Sequence, residues 1–209
     1  MTMKYFYTLI LFFALSNCAL FAQRHTGNAA IETISKSAAK INTMQCDFVQ
    51  TKTLRMLNDE IVSHGRLSYQ KTDKLRWEYA SPYKYVFVLN GAQVLIKKGE
   101  RADKIDINQS KVFKEIARIM MNTVMGKALS SPRDFKTTIS ATGTEYVAVM
   151  IPQRKDMRKM FKQIKLHFNK KAEMVQKIEL TEQNGDTTRI ELKNVKKNAP
   201  ISASTFHVN

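Results

Sequence analysis

The run Leu75-Arg76-Trp77-Glu78-Tyr79, followed six positions on by Tyr85-Val86-Phe87-Val88-Leu89-Asn90-Gly91 and then Ala92-Gln93-Val94-Leu95-Ile96, decides the fold. In its first part Leu75, Trp77 and Tyr79 point one way, and Lys74, Arg76 and Glu78 point the other. A period of two is the signature of a strand whose faces meet different surroundings. Tyr85–Leu89 is apolar at every position, so both faces of that strand are expected to be covered. Asn90-Gly91 between two apolar runs is a strong short-range hairpin signal, because both residues tolerate positive φ.

The same grammar extends in both directions. Upstream, Leu67-Ser68-Tyr69 alternates, and Gly65 before it suggests a bulge or bend. Downstream, Tyr146–Ile151 reads as a second strand covered on both faces and closed by Pro152. Ile164, Leu166 and Phe168 alternate with Lys165 and His167. Ile178 and Leu180 lead to a second Asn-Gly turn at Asn184-Gly185, and Thr188, Ile190 and Leu192 follow on the returning strand. About ten strands with short connections describe an antiparallel sheet that curls or closes.

Two stretches are helical instead. Between Asn28 and Ile41, the residues Ile31, Ile34, Ala38 and Ile41 recur at spacings of three and four, with Glu32, Lys36 and Lys40 between them. From Ser110 to Leu129 a broad apolar stripe runs through Phe113, Ile116, Ala117, Met120, Met121, Val124 and Ala128, widened by Val112, Ile119 and Met125. Ser110 can cap its start, and Gly126 sits near its end. Such a stripe fits an ordinary amphipathic helix packed on a sheet. It also fits a movable cover over an apolar hollow, since methionine adapts to irregular partners.

At the N-terminus, Lys4 precedes the apolar run Tyr5–Leu15, and small and polar residues follow up to Ala22. This is the layout of a secretory signal, and the run falls short of the roughly 20 apolar residues that span a bilayer. Cleavage is expected after Ala22, so residues 1–22 are read as a signal peptide and 23–209 as one domain. Leu15-Ser16-Asn17-Cys18 also resembles a lipid-attachment box, although Asn17 is bulkier than the residue expected before its cysteine. Cleavage takes only Lys4 among the charged residues and lowers the formal charge from +16 to +15. Cys46 is then the single cysteine, so no internal disulfide forms and the core must hold the fold.

A charge of this size favours anionic partners such as acidic proteins or lipid headgroups, and export makes nucleic acid the poorest fit among them. The densest basic run holds Arg154, Lys155, Arg158, Lys159 and Lys162. It reads as either a solvated face or a docking patch. Signals for catalysis are missing. His25, His64, His167 and His207 have no metal-ligand spacing. The chain holds no phosphate-cradling glycine loop and no Gly-x-Ser-x-Gly elbow. Cys46 alone is weak evidence for a nucleophile.

Leu75-Arg76-Trp77-Glu78-Tyr79, then Pro82, then Asn90-Gly91 resembles the periplasmic outer-membrane lipoprotein carrier family of the LolA type. Phe48-Val49-Gln50 is similar to the Phe-x-Gln that follows the first helix in that family, and Gly65-Arg66-Leu67 to its Gly-x-Leu strand. Phe206, after Asn198-Ala199-Pro200-Ile201, resembles its closing strand. The likeness runs from about Ala30 to Val208.

The resemblance implies an α+β, mainly β fold: an incomplete antiparallel barrel of ten or eleven strands with helices covering its concave face. It further implies a monomeric, non-enzymatic periplasmic carrier without cofactor or metal. Such a carrier takes acylated lipoproteins from an inner-membrane releasing transporter, shields their acyl chains, and passes them to an outer-membrane acceptor where one exists. The same fold also serves membrane-anchored acceptors and lipid- or glycolipid-binding sensors. The residues expected to contact cargo are Leu75, Trp77, Tyr79, Phe87 and Leu95 on the sheet, and Ile116, Ile119, Met120, Val124 and Met125 on the lid; plain core packing is the competing reading of each. Many family members carry Arg-Pro ahead of the tryptophan, and here Lys71 and Thr72 stand there. Lys71 is therefore the expected latch between sheet and lid, without the planar fork an arginine would supply.

Overall fold

The strands expected from the alternation pair into one sheet. The computed structural model describes residues 27–109, 114, 118, 121–122, 127–171 and 174–207. Strands β1 (Thr43–Leu54), β2 (Asp59–Gln70), β3 (Lys74–Ser81), β4 (Tyr85–Asn90), β5 (Gln93–Lys98) and β6 (Arg101–Asp106) form one meander. A second meander holds β7 (Phe135–Thr142), β8 (Glu145–Pro152), β9 (Phe161–Asn169), β10 (Met174–Glu182) and β11 (Thr187–Lys197). The antiparallel order is β6-β5-β4-β3-β2-β1-β11-β10-β9-β8-β7. Every neighbouring pair is consecutive in sequence except β1–β11, which joins the meanders. Because β6 and β7 each pair on one side only, the sheet is open.

Both Asn-Gly turns form, with Gly91 at φ 61° and Gly185 at φ 92°. The β3–β4 pairing places Leu75 opposite Leu89, Trp77 opposite Phe87 and Tyr79 opposite Tyr85. One face of the sheet carries an almost continuous apolar layer. Its first part gathers Met44, Cys46, Phe48, Leu67, Tyr69, Leu75 and Phe87. Its second gathers Ala148, Met150, Ile164, Leu166 and Phe168. Ile178 and Leu192 pack against both parts and bridge the seam.

A helix over residues 27–39 lies on the second part, with Ala30, Ile34 and Ala38 buried and Glu32–Lys36 paired in solvent at 2.7 Å. It ends two residues before the expected Ile41, which is buried in the first part of the layer. Helical residues 114, 118, 121 and 122 fall within the second stretch expected to be helical. Met121 of that group is buried against the first part. A further helix, Lys155–Met160, interrupts the basic run between β8 and β9.

Two expectations fail. Phe206 belongs to no strand: Ala203–Phe206 is a 3-10 turn on the opposite face of the sheet, where the fully buried ring packs on Val88 and Leu95. Asn90 Nδ2 donates to the Phe206 carbonyl at 3.1 Å and Arg76 Nη1 to the Thr205 carbonyl at 3.4 Å. This lid of chain covers the outer face of β4, as its apolar sequence demands. The equally apolar β8 gains no such cover. Val147 and Val149 stay half-buried and Ile151 is 39% exposed, because no described segment crosses that part of the outer face.

Gly65 sets the closest approach inside the layer. A Cβ there would lie 2.2 Å from the Glu78 carbonyl oxygen and 2.3 Å from Phe48 Cζ, at the register shift between His64 and Gly65. The Phe48 ring occupies the space a side chain would need. Gly65→Ala is expected to destabilise the protein by about 1–3 kcal/mol through overpacking, read as a lower midpoint in urea with an unchanged slope.

Candidate functional site

Alternation along β1 and β3, with Gly65 between them on β2, builds an aromatic wall on the covered face. Phe48 and Trp77 have ring centroids 4.6 Å apart, and Phe48 meets Tyr79 edge-on at 5.2 Å. Tyr79 in turn lies 5.8 Å from Tyr83 and 6.0 Å from Tyr85. Leu75 and Phe87 are buried, whereas Trp77, Tyr79 and Tyr85 keep part of their surface open. The expected contacts Leu75, Trp77, Tyr79 and Phe87 therefore share one surface.

Leu95 does not join them. The two-residue turn pairs Phe87 with Ile96, Val88 with Leu95 and Leu89 with Val94. That parity turns Leu95 to the outer face beneath Phe206, and Val94 and Ile96 take the covered face. Ile116, Ile119, Met120, Val124 and Met125 lie outside the described residues.

Polar atoms are thinly placed on this wall. Tyr79 donates its hydroxyl hydrogen to Gln50 Oε1 at 2.8 Å. Trp77 Nε1 neighbours that hydroxyl without reaching hydrogen-bonding geometry, and the Tyr69 hydroxyl and Ser63 Oγ have no partner among the described residues. Desolvation raises the phenol pKa of Tyr79, of Tyr69 and of Tyr85. It pushes the Cys46 thiol up to about 12, with the neighbouring Asp47 carboxylate adding to the rise. A thiol this protonated is no nucleophile at neutral pH. Among the described residues no group of three or more His, Cys, Asp or Glu could hold a metal ion. What the surface offers is dry apolar contact with a few unused donors.

Lys71 acts elsewhere than expected. Its Nζ donates to the Ala39 carbonyl at 3.0 Å, at the C-terminal end of helix 27–39, where a cation suits the helix dipole. The planar fork is supplied by Arg118 from the helical segment. Its Nη1 and Nη2 donate to Asp134 Oδ2 and Oδ1 at 2.8 and 2.9 Å. Ser131 Oγ donates to the same carboxylate at 2.6 Å. Asp134 immediately precedes β7, so this pair ties the segment to the edge of the second meander. Nothing in the sequence spacing announces a pair sixteen residues apart.

Beside this edge lies an open groove of about 520 Å³, lined by Ile31, Leu129, Pro132, Phe135, Thr137 and others. The basic run is brought together around helix Lys155–Met160, with Lys155, Arg158, Lys159 and Lys162 exposed and Arg154 bonded to Asp156 at 2.8 Å. The residues that sequence reasoning missed are Phe48, Gln50, Tyr85, Val94 and Ile96 on the wall, and Arg118 with Asp134 at the edge. Only the Phe-x-Gln motif hinted at any of them.

The Arg118 guanidinium above all, with help from the Ser131 hydroxyl, holds the Asp134 carboxyl below its ordinary value of 3.8. A carboxyl depressed on folding stabilises the fold above its unfolded value, and that contribution fades as pH falls through the lowered one. Asp134→Asn is expected to lower stability by roughly 1–3 kcal/mol at neutral pH. Its penalty should shrink in urea titrations carried below the ordinary carboxylate range.

Comparison with known proteins agrees with this architecture. The family model described as outer membrane lipoprotein carrier protein LolA matches residues 39–209. The outer-membrane lipoprotein carrier protein of Bordetella avium is 22% identical over 93% of this chain and 90% of its own length. That of Francisella tularensis is 25% identical over 86% and 82%. Among solved structures, an uncharacterized conserved protein from Thermus thermophilus has a TM-score of 0.54 at 10% identity, covering 87% of this chain and 93% of that one. A crystal structure of MucB gives 0.53 at 12% identity over 88% of this chain, which spans only 63% of MucB. At these identities the structures speak for the fold alone. The match over residues 39–209 establishes membership: this chain belongs to the LolA family of outer membrane lipoprotein carrier proteins.

Proposed function

We propose that this protein is a periplasmic carrier that shelters the acyl chains of lipoproteins on the covered face of its sheet. It would take them up at the inner membrane from a releasing transporter and deliver them at the outer membrane. The observation that carries this reading is the wall formed by Trp77, Tyr79 and Tyr85 around the buried Phe48 ring, apolar, poor in paired polar atoms and, at those three rings, only partly covered. The names of the curated relatives support the same class of cargo.

The physical demand is large. Each methylene removed from water contributes about 0.8 kcal/mol, so an acyl chain of roughly a dozen represents on the order of 10 kcal/mol against free diffusion. Transport needs a dry surface of that extent whose grip can be released. Half-open aromatic rings offer area without a tight pocket. No covalent step is required. The reading of residues 1–22 as an export signal supplies the compartment.

Trp77 is the single tryptophan, so its emission reports on this wall alone. A triacylated lipopeptide with brominated chains is expected to quench it, and the same peptide without chains to leave it unchanged. Unchanged Trp77 emission with the acylated form, in protein of intact secondary structure, would overturn the carrier reading. Mass spectrometry of partners recovered from periplasm should find acylated proteins.

A further inference from the structure

The strand directions give the sheet two unlike ends. At one end lie the β1–β2 turn, the β3–β4 turn, the β10–β11 turn and helix Lys155–Met160. Among the described residues, every large apolar side chain that is exposed falls here. Met56 is 89% exposed, Leu57 71%, Met160 50% and Tyr83 49%. Ile61, Val62 and Ile151 stand on the adjoining strand ends. Among the described residues none falls at the opposite end, although scattered single exposures are the norm for a soluble surface.

Hydrogen bonds hold three of these elements together. Gln183 of the β10–β11 turn donates its backbone N–H to the Met160 carbonyl at 3.0 Å and Nε2 to the Arg158 carbonyl at 2.6 Å. The Arg55 backbone N–H donates to Asp186 Oδ1 at 3.0 Å, and the Arg55 side chain passes over Gly185. Met56, Leu57 and Met160 therefore share one scaffold, with Arg55, Arg158 and Lys159 beside them. Several carboxylates of this end are already engaged. Glu182 pairs with Lys52 at 3.0 Å, Asp156 with Arg154, and Asp186 caps the turn. Asp59 and Glu60 remain exposed at the foot of β2.

We propose that this end is a membrane-docking surface, seating Met56, Leu57 and Met160 in the interface of a bilayer rich in anionic phospholipid, with Arg158, Lys159 and their basic neighbours on its headgroups. Apolar side chains rimmed by cations suit a headgroup–acyl boundary, where the two attractions add. A tyrosine at the rim suits the same depth, and Tyr83 continues through Tyr79 into the aromatic wall. The formal charge, +16 for the whole chain and +15 after the expected cleavage, supplies long-range attraction to the same surface. The inference concerns a surface apart from the cargo wall and stands without the carrier reading.

The test is flotation of the processed protein, its N-terminus verified by mass, with cargo-free vesicles of phosphatidylcholine alone or mixed with phosphatidylglycerol. Binding is expected to the mixed vesicles and to weaken as salt rises. Each cation near such a surface adds roughly fivefold in affinity, so Arg158→Glu with Lys159→Glu should lose at least about tenfold. Met56→Ser with Leu57→Ser should lose a similar factor through apolar area. All four positions are exposed, and unchanged Trp77 emission would show that the fold is kept. Failure of the wild-type protein to float with mixed vesicles would overturn the proposal. So would loss of binding in the charge variant with full binding by M56S/L57S, the pattern of a purely electrostatic surface suited to an acidic protein.

Discussion

The pairing of β1 with β11 is the interaction on which the rest depends. Each meander can form from near neighbours in sequence, but the seam brings together strands more than a hundred residues apart, placing Phe48 opposite Leu192 and Gln50 opposite Ile190. Closing so long a loop costs entropy before any contact forms, and burial across the seam offsets it. Ile178 and Leu192 touch both halves of the apolar layer, so the layer is continuous only while the seam holds. β1 meets β2 along twelve paired positions on its other side, which makes it the stiff centre of the sheet.

Around that centre the covered face is graded rather than uniform. Toward helix 27–39 it is closed by Ala30 and Ile34, small and branched residues that let the helix sit close. Toward β3 and β4 it rises into rings that keep part of their area open. Leaving a buried donor unpaired costs about 1–3 kcal/mol, and Trp77 Nε1, the Tyr69 hydroxyl and Ser63 Oγ are buried with no partner among the described residues.

The two ends of the sheet divide the molecule in a second way. Short polar turns close one end, and the other carries exposed Met56, Leu57, Tyr83 and Met160 next to arginine and lysine. The aromatic path from Tyr83 through Tyr79 to Trp77 runs from that end to the covered face. The edge of the second meander is tied separately by the fork from Arg118 to Asp134. Cover, wall and exposed end thus rest on different elements and respond to different chemistry: charge at the edge, dryness on the wall, and both at the end.

By itself the sequence determined what depends on neighbouring residues. Alternation at Leu75, Trp77 and Tyr79 and at Ile164, Leu166 and Phe168 specified strands and their faces. Asn90-Gly91 and Asn184-Gly185 specified turns through positive φ, and the spacing of Ile34 and Ala38 specified a helix. The quoted motifs from Phe48 to Gly91 carried the family. Only the tertiary structure decided what depends on residues distant in the chain. Leu95 faces outward because β4 is apolar on both sides and the turn register alone chooses. Phe206 packs on Val88 because a returning tail crosses there, while β8, also apolar on both faces, meets no such cover among the described residues. Lys71 bonds Ala39, and Arg118 finds Asp134, because side-chain partners follow from where elements come to rest. Local preference acts over a few residues; facing, covering and pairing are set by burial across the whole sheet.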